Sequence, residues 1–347
     1  MTADIAFTEE GHLGIVTLNR PQALNALTLD MIKALQQQLL CWEKENSIHA
    51  VIVRAEGGKA FCAGGDIRRL YETGRNGEDK MSFFWHEYRL NHYIHQFSKP
   101  YIPLMDGITM GGGVGISLHG SHPIATQNFS FAMPETGIGF FPDIGASYLL
   151  SRCPGAMGIY LGLTGNRLSA EEAKALGLVK EVVAADRQET ILEQLLTIDL
   201  STNASEKVTA TLRKFALPLE EFALKDEQQA INTCFALNTV EKIYAALEQR
   251  DDEWATNVLC NLEKKSPLSL KITLAQILKA EFLSLKECLE MDYCLVSHFM
   301  RDHDFYEGVR ALLVDKDKRP HWQPENLSLV SDTKVAGYFE CNEQLFF

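Results

Sequence analysis

Apolar positions fall into short strand-length runs before residue 186 and into helical stripes after it. Segments near 4 to 8, 13 to 19, 50 to 54, 101 to 105, 122 to 126 and 178 to 183 are short and apolar, which predicts strands. Between them, Leu29 to about Glu45 reads as a helix. So does Lys80 to Ser98, where Phe83, Phe84, Leu90 and Ile94 recur at three- and four-residue steps. Strands alternating with helices give an α/β order. Further on, Leu270, Leu274, Ile277 and Leu278 are spaced for one buried face, and Ser266-Pro267 marks that helix's start. The tail after Pro320 is less regular. The pattern divides the chain into an α/β core over residues 1–200 and a mainly helical C-terminal region over residues 201–347 that completes the fold.

Two glycine-rich turns interrupt the pattern. Gly111, Gly112 and Gly113 follow a strand signal and open a helix, and Ala63-Gly64-Gly65-Asp66 does the same after Ala50-Val51-Ile52-Val53-Arg54. With no Cβ in the way, backbone N–H groups at a helix start can approach an oxygen that is gaining negative charge. For either loop alone, a tight turn or close helix packing is the better reading. Two of them supply what a two-donor oxyanion hole requires. A dinucleotide site is refused by spacing, because G-x-G-x-x-G/A counted from Gly111 ends on Ile116 and from Gly113 on Leu118. No P-loop motif occurs.

Two carboxylates follow the second glycine loop. Glu135 lies in Met133-Pro134-Glu135-Thr136, and Asp143 stands among Phe140, Phe141, Pro142 and Ile144, where desolvation would shift its pKa. Capping of a helix from about Gly145 is the other reading of Asp143. Glu87 falls inside the apolar stripe of its helix, either at the edge reaching water or turned inward for a reason. His92 and His95 stand one helical turn apart, yet no Cys or carboxylate completes a recognisable ligand set, so no metal is expected. No G-x-S-x-G occurs, which disfavours a serine triad.

Together these segments resemble the crotonase (enoyl-CoA hydratase/isomerase) superfamily of acyl-CoA enzymes. The resemblance begins at Val16-Thr17-Leu18-Asn19-Arg20-Pro21, passes through Ala60-Phe61-Cys62-Ala63-Gly64-Gly65-Asp66-Ile67-Arg68 and the triple glycine, and reaches Met133-Pro134-Glu135-Thr136. Ser266-Pro267-Leu268-Ser269-Leu270-Lys271 and Arg301-Asp302-His303-Asp304-Phe305-Tyr306-Glu307-Gly308 are similar to the 3-hydroxyisobutyryl-CoA hydrolase branch, which acts in valine catabolism. The resemblance implies a spiral of ββα units. It also implies that the amides of Gly65 and Gly112 polarise a thioester carbonyl, and that Glu135 is the base or nucleophile. Asp143 is then a second acid for the 3-hydroxyl or the water, and Glu87 a substrate contact. The backbone of Ala63, Gly65, Asp66 and Ile67 is implied to bind the adenine end of CoA. Hydratases of the superfamily carry a glutamate where this chain has Gly115, so syn hydration would lack one of its acid/base groups. Thioester cleavage needs less, because a thiolate leaves readily.

Composition changes the picture in three places. A net charge of −13 opposes a default role on nucleic acid or an anionic membrane, so the expected partner is a small-molecule acyl-CoA. No cofactor is expected, coenzyme A being part of the substrate; its phosphates would meet local basic groups, with Arg20, Lys59, Arg68 and Arg69 as neighbours in sequence. Eight dispersed cysteines without C-x-x-C read as reduced thiols of a cytoplasmic protein, and the acidic residues 1–10 do not resemble a targeting leader. Cys62 reads as a small buried filler rather than a nucleophile. A homo-oligomer built on trimers is open from the resemblance. The reading is therefore a hydrolase of a short branched 3-hydroxyacyl-CoA. Its rivals are a hydratase or isomerase on the same scaffold, and a non-catalytic acyl-CoA-binding protein.

Overall fold

The computed structural model describes residues 4–75, 80–218, 224–341 and 343–347. Its strands are β1 Ile5–Glu10, β2 Leu13–Leu18, β3 Ala50–Ala55, β4 Ala60–Cys62, β5 Tyr101–Met105, β6 Ile108–Met110, β7 Ile124–Thr126, β8 Ser130–Ala132 and β9 Glu181–Val183. Six of them form one sheet in the order β1-β2-β3-β5-β7-β9, parallel throughout except for the antiparallel β1–β2 hairpin. The other three form a small sheet in the order β4-β6-β8. Each expected strand is present within a few residues. The small sheet was not expected, since its strands have three residues each and show no period to read.

The chain forms two compact units. The first comprises Met1–Gly65, His86–Phe131 and Leu168–Phe222; the second comprises Asp66–Trp85, Ala132–Arg167 and Ala223–Phe347.

In the first unit the large sheet supplies one core face. Alternate residues Leu13 and Ile15, Ala50 and Ile52, and Ile102 and Leu104 point the same way, as period two demands. They pack with Ile124 and Val183 against Ile191, Leu192 and Leu195 of the helix Gln188–Thr197 and against Val208 and Leu212 of Ala204–Arg213. Helix α1, Leu29–Lys44, begins where the Thr28 hydroxyl accepts the Met31 amide, and buries Met31, Ile32, Leu35, Leu39 and Trp42 at helical spacing. Gly14 gives the Trp42 indole room, since a Cβ there would meet the ring at 2.8 Å.

The second unit is mostly helical. Helix Pro267–Ala280 starts as the Ser266-Pro267 signal predicts, with the Ser266 side chain accepting the Ser269 amide. Helix Leu285–Phe299 opens with a capping box between Ser284 and Glu287. Rings of Phe84, Phe140, Phe141, Phe299 and Phe305 cluster, with Phe140 4.6 Å from Phe141 and 5.4 Å from both Phe299 and Phe305. Cys294 and Cys341 form a disulfide with Cα atoms 5.2 Å apart, which corrects the expectation that all eight cysteines are reduced. Pairing depends on proximity set by the fold, and a sequence separation of 47 gives no sign of it. Among the described residues no helix is long and apolar enough to cross a membrane.

Candidate active site

The first unit brings both glycine turns together. β4 ends at Cys62, and the chain turns through Gly64, whose φ of 118° suits glycine, before Gly65 forms a bridge to Leu27. Ala63, Gly65, Asp66 and Ile67 make the turn into α2, Ile67–Arg75, where Asp66 Oδ1 accepts the Arg69 amide at 3.3 Å. Gly111, at φ 47°, leads into the short helix α4, Gly112–Gly115. A Cβ on Gly112 would lie 3.3 Å from the Gly65 nitrogen, so the two residues lie side by side. First-turn amides of a helix lack an intrahelical acceptor, which leaves the Gly112 N–H available to a ligand.

Helix α3, Met81–Gln96, lies against this turn from His86 onward. Glu87 is 2% exposed, and a Cβ on Gly112 would stand only 2.4 Å from its Oε1. It therefore faces inward rather than reaching water at the stripe edge. One turn later Asn91 is wholly buried, and a Cβ on Gly115 would be 2.7 Å from its Nδ2. A glutamate at position 115 has no room while Asn91 stays in place. Cys62 is buried beneath α4, and burial, with Glu87 adding to it, pushes its thiol up to about 12. That is the behaviour of a packing residue, not of a nucleophile.

Glu135 and Asp143 come together in the second unit. Glu135 heads a short 3-10 turn, Glu135–Ile138, fixed by Thr136: its hydroxyl donates to the Leu163 carbonyl at 3.0 Å and its carbonyl accepts the Ser266 amide at 3.1 Å. Glu135 is 7% exposed, and its Oε2 has no hydrogen-bond partner among the described residues. Burial first, then the Asp143 carboxylate, hold its pKa well above the ordinary value, while Lys265 works against them. A Cβ on Gly137 would be 3.4 Å from Lys265 Nζ, which places that ammonium over the turn. Burial lowers the Lys265 pKa, with Glu135 opposing the shift.

Asp143 is 6% exposed and is not the N-cap residue of the following helix, Ala146–Leu150, a place taken by Gly145. Near it lies Asp292, fully buried, whose carboxyl is pushed well upward by burial. Sequence reasoning singled out Glu135, Asp143 and Glu87, all of them buried, and passed over Lys265 and Asp292. The branch-like run beginning at Ser266 directly follows Lys265 and was the available signal; Asp292 lies in an ordinary amphipathic helix.

Two of the four candidate phosphate-binding side chains already have partners. Arg20 donates to the Ala26 carbonyl at 3.0 Å, and Arg68 pairs with Glu72 at 3.3 Å.

The chain belongs to the enoyl-CoA hydratase/isomerase family, whose model matches residues 13–339. It is similar to the mitochondrial 3-hydroxyisobutyryl-CoA hydrolase of Rattus norvegicus, 41% identical over 98% of this chain and 89% of the relative. Among solved structures it is similar to a carnitinyl-CoA dehydratase from Mycobacterium thermoresistibile, with TM-score 0.92 and 35% identity over 100% of this chain and 99% of the other. It is also similar to an enoyl-CoA hydratase from Rhodobacter sphaeroides 2.4.1, with TM-score 0.90 and 34% identity over 99% of this chain and all of the other. The crotonase-like α/β architecture expected from the sequence is thereby established.

Proposed function

We propose that this protein hydrolyses 3-hydroxyisobutyryl-CoA to 3-hydroxyisobutyrate and CoA. The observation that carries the reading against hydration is Gly115 packed on Asn91, where a hydratase needs an acid. The curated hydrolase relative, matched over nearly the whole chain, supports the same substrate.

In the proposed reaction the amides of Gly65 and Gly112 stabilise the oxyanion that forms when the thioester carbonyl is attacked. Glu135 supplies the carboxylate, either drawing a proton from water or attacking to give a mixed anhydride that water opens. Its unsatisfied Oε2 and raised pKa suit a base that must take up and release a proton. Asp143 receives the 3-hydroxyl of the acyl group, and Glu87 contacts the substrate beside Gly112. The backbone of Ala63, Gly65, Asp66 and Ile67 takes the adenine end. Cytoplasmic residence is part of the proposal; cell fractionation tests it against the mitochondrial location in its relatives' names.

Incubation with 3-hydroxyisobutyryl-CoA should release free thiol. Loss of enoyl absorbance from crotonyl-CoA without free thiol would point to the hydratase reading instead, and binding without either reaction to a silent acyl-CoA-binding protein. 3-Hydroxypropionyl-CoA, one methyl smaller, should be a poorer substrate by about 1–3 kcal/mol at most.

A further inference from the structure

The loop that carries Asp143 has a backbone that most residues avoid. Ile144 sits at φ 56° and Gly145 at φ 71°. The left-handed region is disfavoured for a β-branched side chain, so such a conformation persists only where its surroundings impose it. Two fully buried side chains of the second unit impose it here. Gln276, on the helix Pro267–Ala280, donates from Nε2 to the Pro142 carbonyl at 2.9 Å and to Asp292 Oδ1 at 2.7 Å. Asp292, on the helix Leu285–Phe299, accepts the Gly145 amide on Oδ2 at 2.7 Å. These three hydrogen bonds bracket Asp143 from the residue before it and from two residues after it.

We propose that Asp292 and Gln276 are a positioning pair that holds the Asp143 carboxylate where it can receive the 3-hydroxyl of the acyl group. The pair rests on the role given to Asp143 above. A carboxylate at 292 fits this task better than a neutral group would. It faces two donors, the Gly145 amide and the Gln276 amide nitrogen, and only a carboxylate offers an acceptor to each. Asparagine would turn an NH2 toward one of them. A buried carboxylate is costly unless it is so engaged, which marks the arrangement as more than filler. Gln276 links the two ends, since one nitrogen serves both the Pro142 carbonyl and Asp292.

The test compares kcat/KM for 3-hydroxyisobutyryl-CoA with that for isobutyryl-CoA, the same acyl group without its hydroxyl. Asp143→Asn should reduce the preference for the hydroxylated substrate. Asp292→Asn should reduce it about tenfold, as displacement of a positioned group does, with much less effect on isobutyryl-CoA. The double variant should be no worse than Asp143→Asn alone, because the two act through one contact. A preference lost in Asp143→Asn but kept in Asp292→Asn overturns the positioning pair alone. Equal losses on both substrates in Asp292→Asn overturn it as well, reducing the pair to a structural crosslink. An unchanged preference in Asp143→Asn removes the reading of Asp143, and the pair falls with it. Thermal melting accompanies each variant. Should Asp292→Asn fail to fold, Gln276→Leu, which keeps the Asp292–Gly145 bond, decides the matter by the same ratio.

Discussion

At the scale of single residues, Glu135 carries the proposed chemistry, and its environment sets two expectations. As the base it must be ionised, so kcat/KM should rise with pH through its pKa. Burial and Asp143 raise that pKa, so the midpoint should lie above the usual glutamate value of about 4.3. Asp143→Asn removes a like charge and should lower the midpoint; Lys265→Met removes the opposing cation and should raise it. A pH–rate profile in which neither variant moves the midpoint would take the base role away from Glu135. Glu135→Gln should cost roughly 10²–10⁴ in kcat while substrate binding survives. The same variant should gain stability. A carboxyl whose folded pKa is raised contributes stability that is present below the unfolded value and is lost as pH rises through the folded one. Above that window the parent has lost stability that the glutamine keeps, so Glu135→Gln should melt higher there, the gap closing as pH falls to the unfolded value of about 4.3. Glu135, Asp143 and Glu87 were legible because each stands in a motif or breaks an apolar stripe. Lys265 and Asp292 were not, because what sets them apart is the neighbour that the fold brings to them.

At the scale of elements, the glycines of α4 are not interchangeable. A Cβ on Gly113 would stand 2.2 Å from the Cys62 carbonyl oxygen and 2.9 Å from its carbon, both backbone atoms of β4. Gly113→Ala can only be relieved by parting β4 from α4, and should lower stability by at least about 1–3 kcal/mol, read by denaturant unfolding. On Gly112 the close atom is the end of the Glu87 side chain. A side chain can turn away, so Gly112→Ala should fold with nearly normal stability and lose thioesterase activity as Glu87 and the adjacent amide are displaced. If the two substitutions were to behave alike in both assays, this distinction would be void. Close packing of this kind is the second meaning of a glycine run, and the sequence left it open beside the oxyanion reading; the structure shows the packing demand at Gly113, and the oxyanion role of its neighbour Gly112 belongs to the proposed reaction. The long strands and helices were legible from their periods. The β4-β6-β8 sheet was not, since its three-residue strands are defined by partners distant in sequence.

At the scale of the whole chain, the family and its hydrolase branch were readable from motifs, whereas the division into compact units was not. Each unit is assembled from three separate stretches, so no change of composition marks its borders. Cysteine pairing has the same origin. Dispersed thiols without a compact framework read as reduced, but helix Leu285–Phe299 and the tail bring Cys294 to Cys341, leaving the other six cysteines free. A disulfide persists in an oxidising setting and is held open by cellular thiols in the cytosol, so the pair bears directly on where the protein works. Closing a loop with this separation of 47 residues is worth about 4 kcal/mol in the chain-entropy view, though strain and residual structure commonly reduce it. Denatured protein purified without reductant should therefore titrate six thiols per chain, and all eight cysteines after reduction. Reduction should lower the melting temperature of the parent and leave that of a Cys294→Ser/Cys341→Ser variant unchanged. Eight thiols before reduction would restore the original reading of the cysteines, and would leave the tail held at this point by the hydrogen bond from His298 to the Glu340 carbonyl and the ion pair of Arg301 with Glu343.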